Sequence, residues 1–210
     1  HLTNRYQALS KTPLLIAMDA EWGLSMRLDS TIKYHREMSL GASRDEQLVY
    51  EYGEEMARQL KRMGVHVSFS PVVDINNNIK NPVIGSRSFG ESRTLVAQLG
   101  AAYMRGLQNN HILANAKHFP GHGDTDVDSH KGLPVIQHPR SRIDSIELYP
   151  FRQLIAQGLG SMMIAHLKVP SLDSNTTTLS NEVVTRLLRE ELAFDGLIFT
   201  DALNMNGVAS

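Results

Sequence analysis

The chain has 210 residues, 41% apolar and 20% charged, a globular composition that allows a sizeable core and excludes a disordered or fibrous protein. With 21 basic against 22 acidic side chains the formal net charge is -1, so there is no electrostatic footprint for nucleic acid or an anionic membrane, and the expected partner is a small or neutral molecule. The absence of cysteine excludes disulfides and thiolate metal sites and leaves the compartment open, and apolar runs such as "MMIAHL" fall far short of the roughly 20 residues of a membrane span.

Taken in order, the chain opens on "HLTNRYQALSK", which lacks the pattern of a secretory leader. "PLLIAMD" (13–19) then reads as a strand. A helix is expected from about Ser43 to Met63, with "SRDE" as a capping box, Leu48, Tyr52, Met56 and Leu60 at every fourth position and Gly64 as its C-terminal stop. "HVSFSPVVD" (66–74) is the second strand, followed by a helix from about Arg93 to Leu107. "ILANAKHF" (112–119) is the third, followed by a helix containing "ELYPFRQLIAQ". "SMMIAHL" (161–167) is the fourth, followed by "NEVVTRLLREEL" behind the candidate cap Ser180, and "GLIFTDAL" (196–203) is the fifth. These strand candidates are short, apolar and nearly unalternating, as strands buried on both faces are.

Strand then helix, four times over, predicts an α/β protein with a parallel sheet, either a (β/α)8 barrel or an open doubly wound sheet. Polar residues favour the barrel. Asp19, Asp74, Lys117 with His118, His166 and Asp201 each stand at the carboxyl end of a different strand, and a barrel gathers such ends at one mouth. Five strands do not close a barrel, and a full one takes about 250 residues. The chain is therefore read as one partial barrel domain over 1–210, beginning at or near strand two, ending just after strand six, with no second domain.

The densest chemistry lies in "KHFPGHGDTDVDSH", Lys117 to His130, with three histidines and three aspartates. Asp124, Asp126 and Asp128 alternate like the start of a calcium loop, but Ser129 and Val135 stand where that loop needs Gly and Glu. His118, His122 and His130 with an aspartate offer three ligands to a catalytic zinc, although their spacing matches no familiar ligand motif. A solvated acidic loop is the plainer alternative. Against it, the segment leaves a strand on the side where barrel active sites sit.

"AKHFPGHGDTDVDSH", together with "GLIFTDALNM", "AMDAEWGLSMR" and "SRSFG", resembles the barrel domain of family 3 glycoside hydrolases, and within it the bacterial β-N-acetylglucosaminidase branch. The resemblance runs over nearly the whole chain, with the motifs in order. It implies that Asp201 is the nucleophile of a retaining glycosidase and that His130, in a dyad with Asp128, is its acid/base. Histidine suits that part, since it titrates near 6.5 and an adjacent carboxylate favours the imidazolium. Asp19, Arg27, Arg87, Lys117 and His118 are then the substrate-binding set. Each has a plainer reading alone: Asp201 as a helix N-cap, either arginine as a surface ion pair, His118 as a core histidine.

The resemblance further implies a small carbohydrate substrate, a terminal β-linked N-acetylglucosamine on cell-wall-derived or related glycosides, with no cofactor and no metal. Oligomeric state is open. Two departures stand out: "DAEWG" replaces the family's D-Q-E-G-G, placing Trp22 near the mouth, and Ala202 follows Asp201 where an acidic residue is common. A β-glucosidase of the same family and a metal-dependent barrel hydrolase using the His/Asp-rich loop remain as alternatives. His166 receives no role, Asp74 is read as a brace, and Glu21 as structural.

Overall fold

The computed structural model describes residues 2–127 and 132–205. Five strands, β1 (Ala17–Met18), β2 (Val67–Ser68), β3 (Leu113–Phe119), β4 (Ser161–Ile164) and β5 (Leu197–Thr200), pair in parallel and strictly in sequence order. A doubly wound sheet would reverse that order at its switch point. This one never does, and it curls into a half-barrel with helices outside. β1 and β2 are far shorter than the expected runs; beyond Ser68 the contact with the neighbouring strands continues as single backbone bonds, Phe69 N to Met18 O and Asn115 N to Ser70 O, and as the bridge Val72 to Lys117.

The outer layer comprises α1 (Leu2–Leu9), α2 (Glu37–Ser43), α3 (Glu46–Arg62), α4 (Arg93–Asn109), α5 (Arg140–Ser145), α6 (Leu148–Ile155) and α7 (Glu182–Glu191). The helix expected to start at Ser43 is in fact two. The Ser43 hydroxyl donates back to Leu40 O at 2.6 Å and closes α2, Arg44 turns left-handed at φ 53°, and Asp45 caps α3 by accepting from Leu48 N at 3.0 Å. The buried face of α3 runs through Val49, Tyr52, Met56 and Leu60, while Leu48 points out. α1, α2 and α5 were not foreseen; α1 buries no residue, so no apolar period marks it.

α3 and α4 meet at two glycines. A Cβ on Gly53 would stand 2.6 Å from Tyr103 O, and one on Gly106 would stand 2.3 Å from Tyr50 O, so side chains there would force the helices apart. α7 follows Ser180 as expected, with the serine Oγ accepting from Val183 N at 3.1 Å, but it is π-wound over Glu182–Glu191, closing with Leu192 N donating to Leu187 O. The core lies between sheet and helices: Val67, Val73, Ala114, Ala116, Phe119, Met162 and Ile164 are fully buried, whereas Leu197 on β5 is 46% exposed at the open edge of the arc.

Candidate active site

The strand ends deliver charge to one place. Asp19 follows β1, and its carboxylate accepts from Arg27 Nη2 at 2.7 Å and from Lys117 Nζ at 2.9 Å. Arg27 is folded back by a second bond from its Nε to Asp19 O at 3.1 Å. Glu21, two residues on and 2% exposed, takes a fork from Arg87, Nη2 to Oε1 at 2.7 Å and Nε to Oε2 at 2.9 Å, and its Oε1 also meets Lys117 Nζ at 2.8 Å. Lys117, at the end of β3, thus bridges two carboxylates.

Burial would neutralise each of these groups, and the opposite charges prevent it. Desolvation pushes the Glu21 carboxyl up, but Lys117 and Arg87 together hold it far below the usual carboxylate range. Burial likewise works against the Lys117 ammonium, yet Glu21 and Asp19 raise it above the ordinary lysine value. Arg87 is raised by Glu21 against the same desolvation. The cluster is ionised as a unit, and Glu21 has no proton to give near neutral pH.

A second anchor lies beneath. Asp74, 1% exposed, accepts from His118 N, from His118 Nδ1 at 2.6 Å and from His122 N at 2.6 Å. With Nδ1–H donated to Asp74, the other nitrogen of His118 stands 3.4 Å from Arg87 Nη2. Burial would raise the Asp74 carboxyl, but His118 outweighs it and the group is lowered. The expectation that Asp74 braces the structure therefore becomes specific: it orients His118 and holds the turn after Pro120. His122 is buried neutral, its pKa lowered to about 4 by desolvation and then by His118, and among the described residues its Nε2 has no hydrogen-bond partner.

Asp201 follows β5, its backbone N donating to Ile164 O at 3.0 Å and its Oδ1 accepting from Ala202 N at 2.8 Å. Among the described residues its carboxylate forms no ion pair. His166, unassigned from sequence, braces this corner: its Nε2 faces Ala202 O at 3.1 Å and its Nδ1 faces the Thr178 hydroxyl at 2.6 Å.

A cavity of about 550 Å³ brings Asp19, Arg27, Arg87, Lys117, His118 and Asp201 together, with Trp22 and Arg36 also on its wall. Six of the eight residues singled out in the sequence thus share one space. The other two, Asp128 and His130, lie outside the described residues. Trp22 is stacked by the Arg36 guanidinium, 4.4 Å from the ring centroid, so the aromatic departure from the family motif does reach the mouth. In the His/Asp-rich loop Asp124 is engaged by His138 Nε2 at 2.7 Å, with Arg142 3.6 Å away. Among the described residues no three His, Asp or Glu side chains converge as a metal would need.

How Glu21 and Asp74 serve the site is not visible in the sequence. Glu21 lay in the motif, but nothing in a linear reading shows that Arg87, 66 positions away, closes on it.

The model of the glycosyl hydrolase family 3 N-terminal domain matches residues 2–210. β-Hexosaminidase A of Pseudoalteromonas piscicida is 38% identical over 97% of this chain, and the match spans 37% of that protein. A family 3 β-N-acetylglucosaminidase structure from Paenibacillus sp. str. FPU-7 superposes with a TM-score of 0.91 at 44% identity, covering 94% of this chain and 38% of that one. The β-glucoside phosphorylase BglX bound to 2FGlc superposes at 0.95 with 29% identity, covering 99% and 40%. The chain thus spans well under half the length of each of these three. Strand order, motif order and similarity over almost every residue agree: the chain belongs to glycosyl hydrolase family 3, alongside its bacterial β-N-acetylglucosaminidases.

Proposed function

We propose that the complete protein is a retaining exo-glycosidase that releases terminal β-linked N-acetylglucosamine from cell-wall-derived or related glycosides. The observation that carries this is Asp201, a carboxylate without an ion-pair partner among the described residues, on the wall of a cavity whose other carboxylates are paired, Asp19 with Lys117 and Arg27 and Glu21 with Arg87 and Lys117. A free carboxylate is a nucleophile, and a paired one is an acceptor for sugar hydroxyls. Arg27, Arg87, Lys117 and His118 supply donors around the ring. Asp201 attacks the anomeric carbon as the bond to the leaving oxygen breaks, and His130, in its dyad with Asp128, gives that oxygen its proton. In the second step neutral His130 takes a proton from water, the water oxygen bonds to the anomeric carbon, and Asp201 departs as a carboxylate.

The test compares turnover of an aryl β-N-acetylglucosaminide with that of the matching β-glucoside, together with labelling by a fluorinated mechanism-based sugar. Preference for the acetamido sugar and a label on Asp201 support the reading; a glucoside preference or a label on another carboxylate overturns it. The likeness to a β-glucoside phosphorylase supports a second reading in which phosphate replaces water. Release of a sugar 1-phosphate in phosphate buffer would establish it.

A further inference from the structure

Asn81 has no part in the reading above, yet its side chain makes five hydrogen-bond contacts and is 8% exposed. Its Oδ1 accepts from Val83 N at 2.9 Å and Ile84 N at 2.8 Å, opening the short helical turn Gly85–Arg87 that presents Arg87. Its Nδ2 reaches His122 O at 2.8 Å, Gly123 O at 3.0 Å and Thr125 Oγ1 at 3.2 Å. One amide therefore ties the segment carrying Arg87 to the turn that leaves His118, more than 40 residues further along the chain.

The bonds specify the residue type. Two backbone N–H groups demand an acceptor and two carbonyls demand a donor, and only a carboxamide offers both from one short side chain. The turn is already pinned from below by Asp74, which accepts from His122 N, and by Ile75, whose carbonyl a Cβ on Gly123 would meet at 1.8 Å. Asn81 fixes it from the side. Asp128 and His130 follow Thr125 by only three and five residues, so the clamped turn sets where the chain sets out toward the dyad.

We infer that Asn81 is a positioning residue for acid/base catalysis: by clamping residues 122–125 to the Arg87 segment it registers His130 against the sugar that Arg87 helps to hold. This rests on the reading of His130 as the acid/base. Asp at position 81 would keep the bonds from Val83 and Ile84 and turn the opposite face from donor to acceptor, loosening one segment while leaving the other in place.

The test measures kcat/KM of the complete protein for aryl β-N-acetylglucosaminides spanning dinitrophenol to unsubstituted phenol, in wild type, Asn81→Asp and His130→Ala. A misplaced acid harms only substrates that need protonation. Asn81→Asp should therefore lose about 10- to 100-fold on the phenyl glycoside and less than about 3-fold on the dinitrophenyl one, with His130→Ala showing the same dependence more steeply. Equal losses on every leaving group, or none, in Asn81→Asp beside a leaving-group-dependent His130→Ala would overturn the inference alone. No leaving-group dependence in His130→Ala would overturn the acid/base reading and the inference with it. If Asn81→Asp does not fold, Thr125→Val carries the test, since it removes one of the three acceptors and should steepen the leaving-group dependence in the same direction; an unchanged slope there overturns the inference.

Discussion

Arg87 grips Glu21 through two parallel hydrogen bonds, at 2.7 and 2.9 Å, on a carboxylate that is 2% exposed. The pair does more than hold the wall together. It fixes one edge of the guanidinium on the cavity wall, where Nη1 reaches Val83 O at 3.4 Å, and Glu21 lets Lys117 stay charged with almost no water around it. Removing Glu21 would leave two buried cations short of a counter-charge.

Glu21→Gln should accordingly destabilise the complete protein by about 3–5 kcal/mol, the usual cost of breaking a buried ion pair from one side. The acid limb carries the sign. Because the folded carboxyl is held below its ordinary value of 4.5, its stabilisation is fully present above that pH and is lost as pH falls toward the depressed folded value. Urea unfolding across the acid range should show a shallower loss in the variant than in wild type. Equal acid slopes would remove Glu21 as the responsible group.

Glu37 should behave in the opposite sense. It is 1% exposed, its Oε1 accepts from Val72 N at 3.1 Å, its Oε2 has no hydrogen-bond partner among the described residues, and burial followed by the nearby Glu21 charge pushes the carboxyl well above its ordinary value of 4.5. A raised folded pKa means stability that is complete below about 4.5 and declines as pH rises through the folded value. Glu37→Gln mimics the neutral acid and keeps the acceptor for Val72, so its stability relative to wild type should improve as pH rises above about 4.5. A difference that does not change with pH would show that Glu37 ionises in place.

What the sequence made legible and what it hid divide along one physical line. Apolar runs ending in Asp19, Lys117 and Asp201 announce buried parallel strands with polar ends, because the signal is local and the barrel repeats it. The start of α3 was misplaced because Ser43 and Asp45 are both good caps, and only the left-handed turn at Arg44 decides between them. The contacts of Asp74 with His118 and of Arg87 with Glu21 join residues 44 and 66 positions apart. Their partners are chosen by the curl of the sheet, which no window of sequence contains.

The activity profile with pH should fall on its alkaline side as His130 loses the proton it gives to the leaving oxygen. His122 lies close to the site, but its pKa of about 4 keeps it neutral across the working range, so His122→Asn should leave the alkaline limb where it is. Asp128→Asn removes a charge that favours the imidazolium and should move that limb to lower pH. Rate profiles of the two variants side by side separate the histidines. An alkaline limb that shifts with His122 and not with Asp128 would reassign the acid/base.

Azide rescue should assign both catalytic groups by stereochemistry. With His130→Ala and a dinitrophenyl glycoside, which needs little protonation, Asp201 still displaces the phenol and forms the α-linked glycosyl-enzyme, which then waits for a base to activate water. Azide needs no base, enters from the β face, breaks the bond to Asp201 and gives the β-glycosyl azide. With Asp201→Gly no covalent intermediate can form, and azide fits the space on the α face that the carboxylate vacates. Displacement of the β-linked leaving group from there gives the α-glycosyl azide. The coupling constant of the anomeric proton distinguishes the two products directly. An α-azide from His130→Ala, or a β-azide from Asp201→Gly, would exchange or dissolve the assigned roles, whatever the rates.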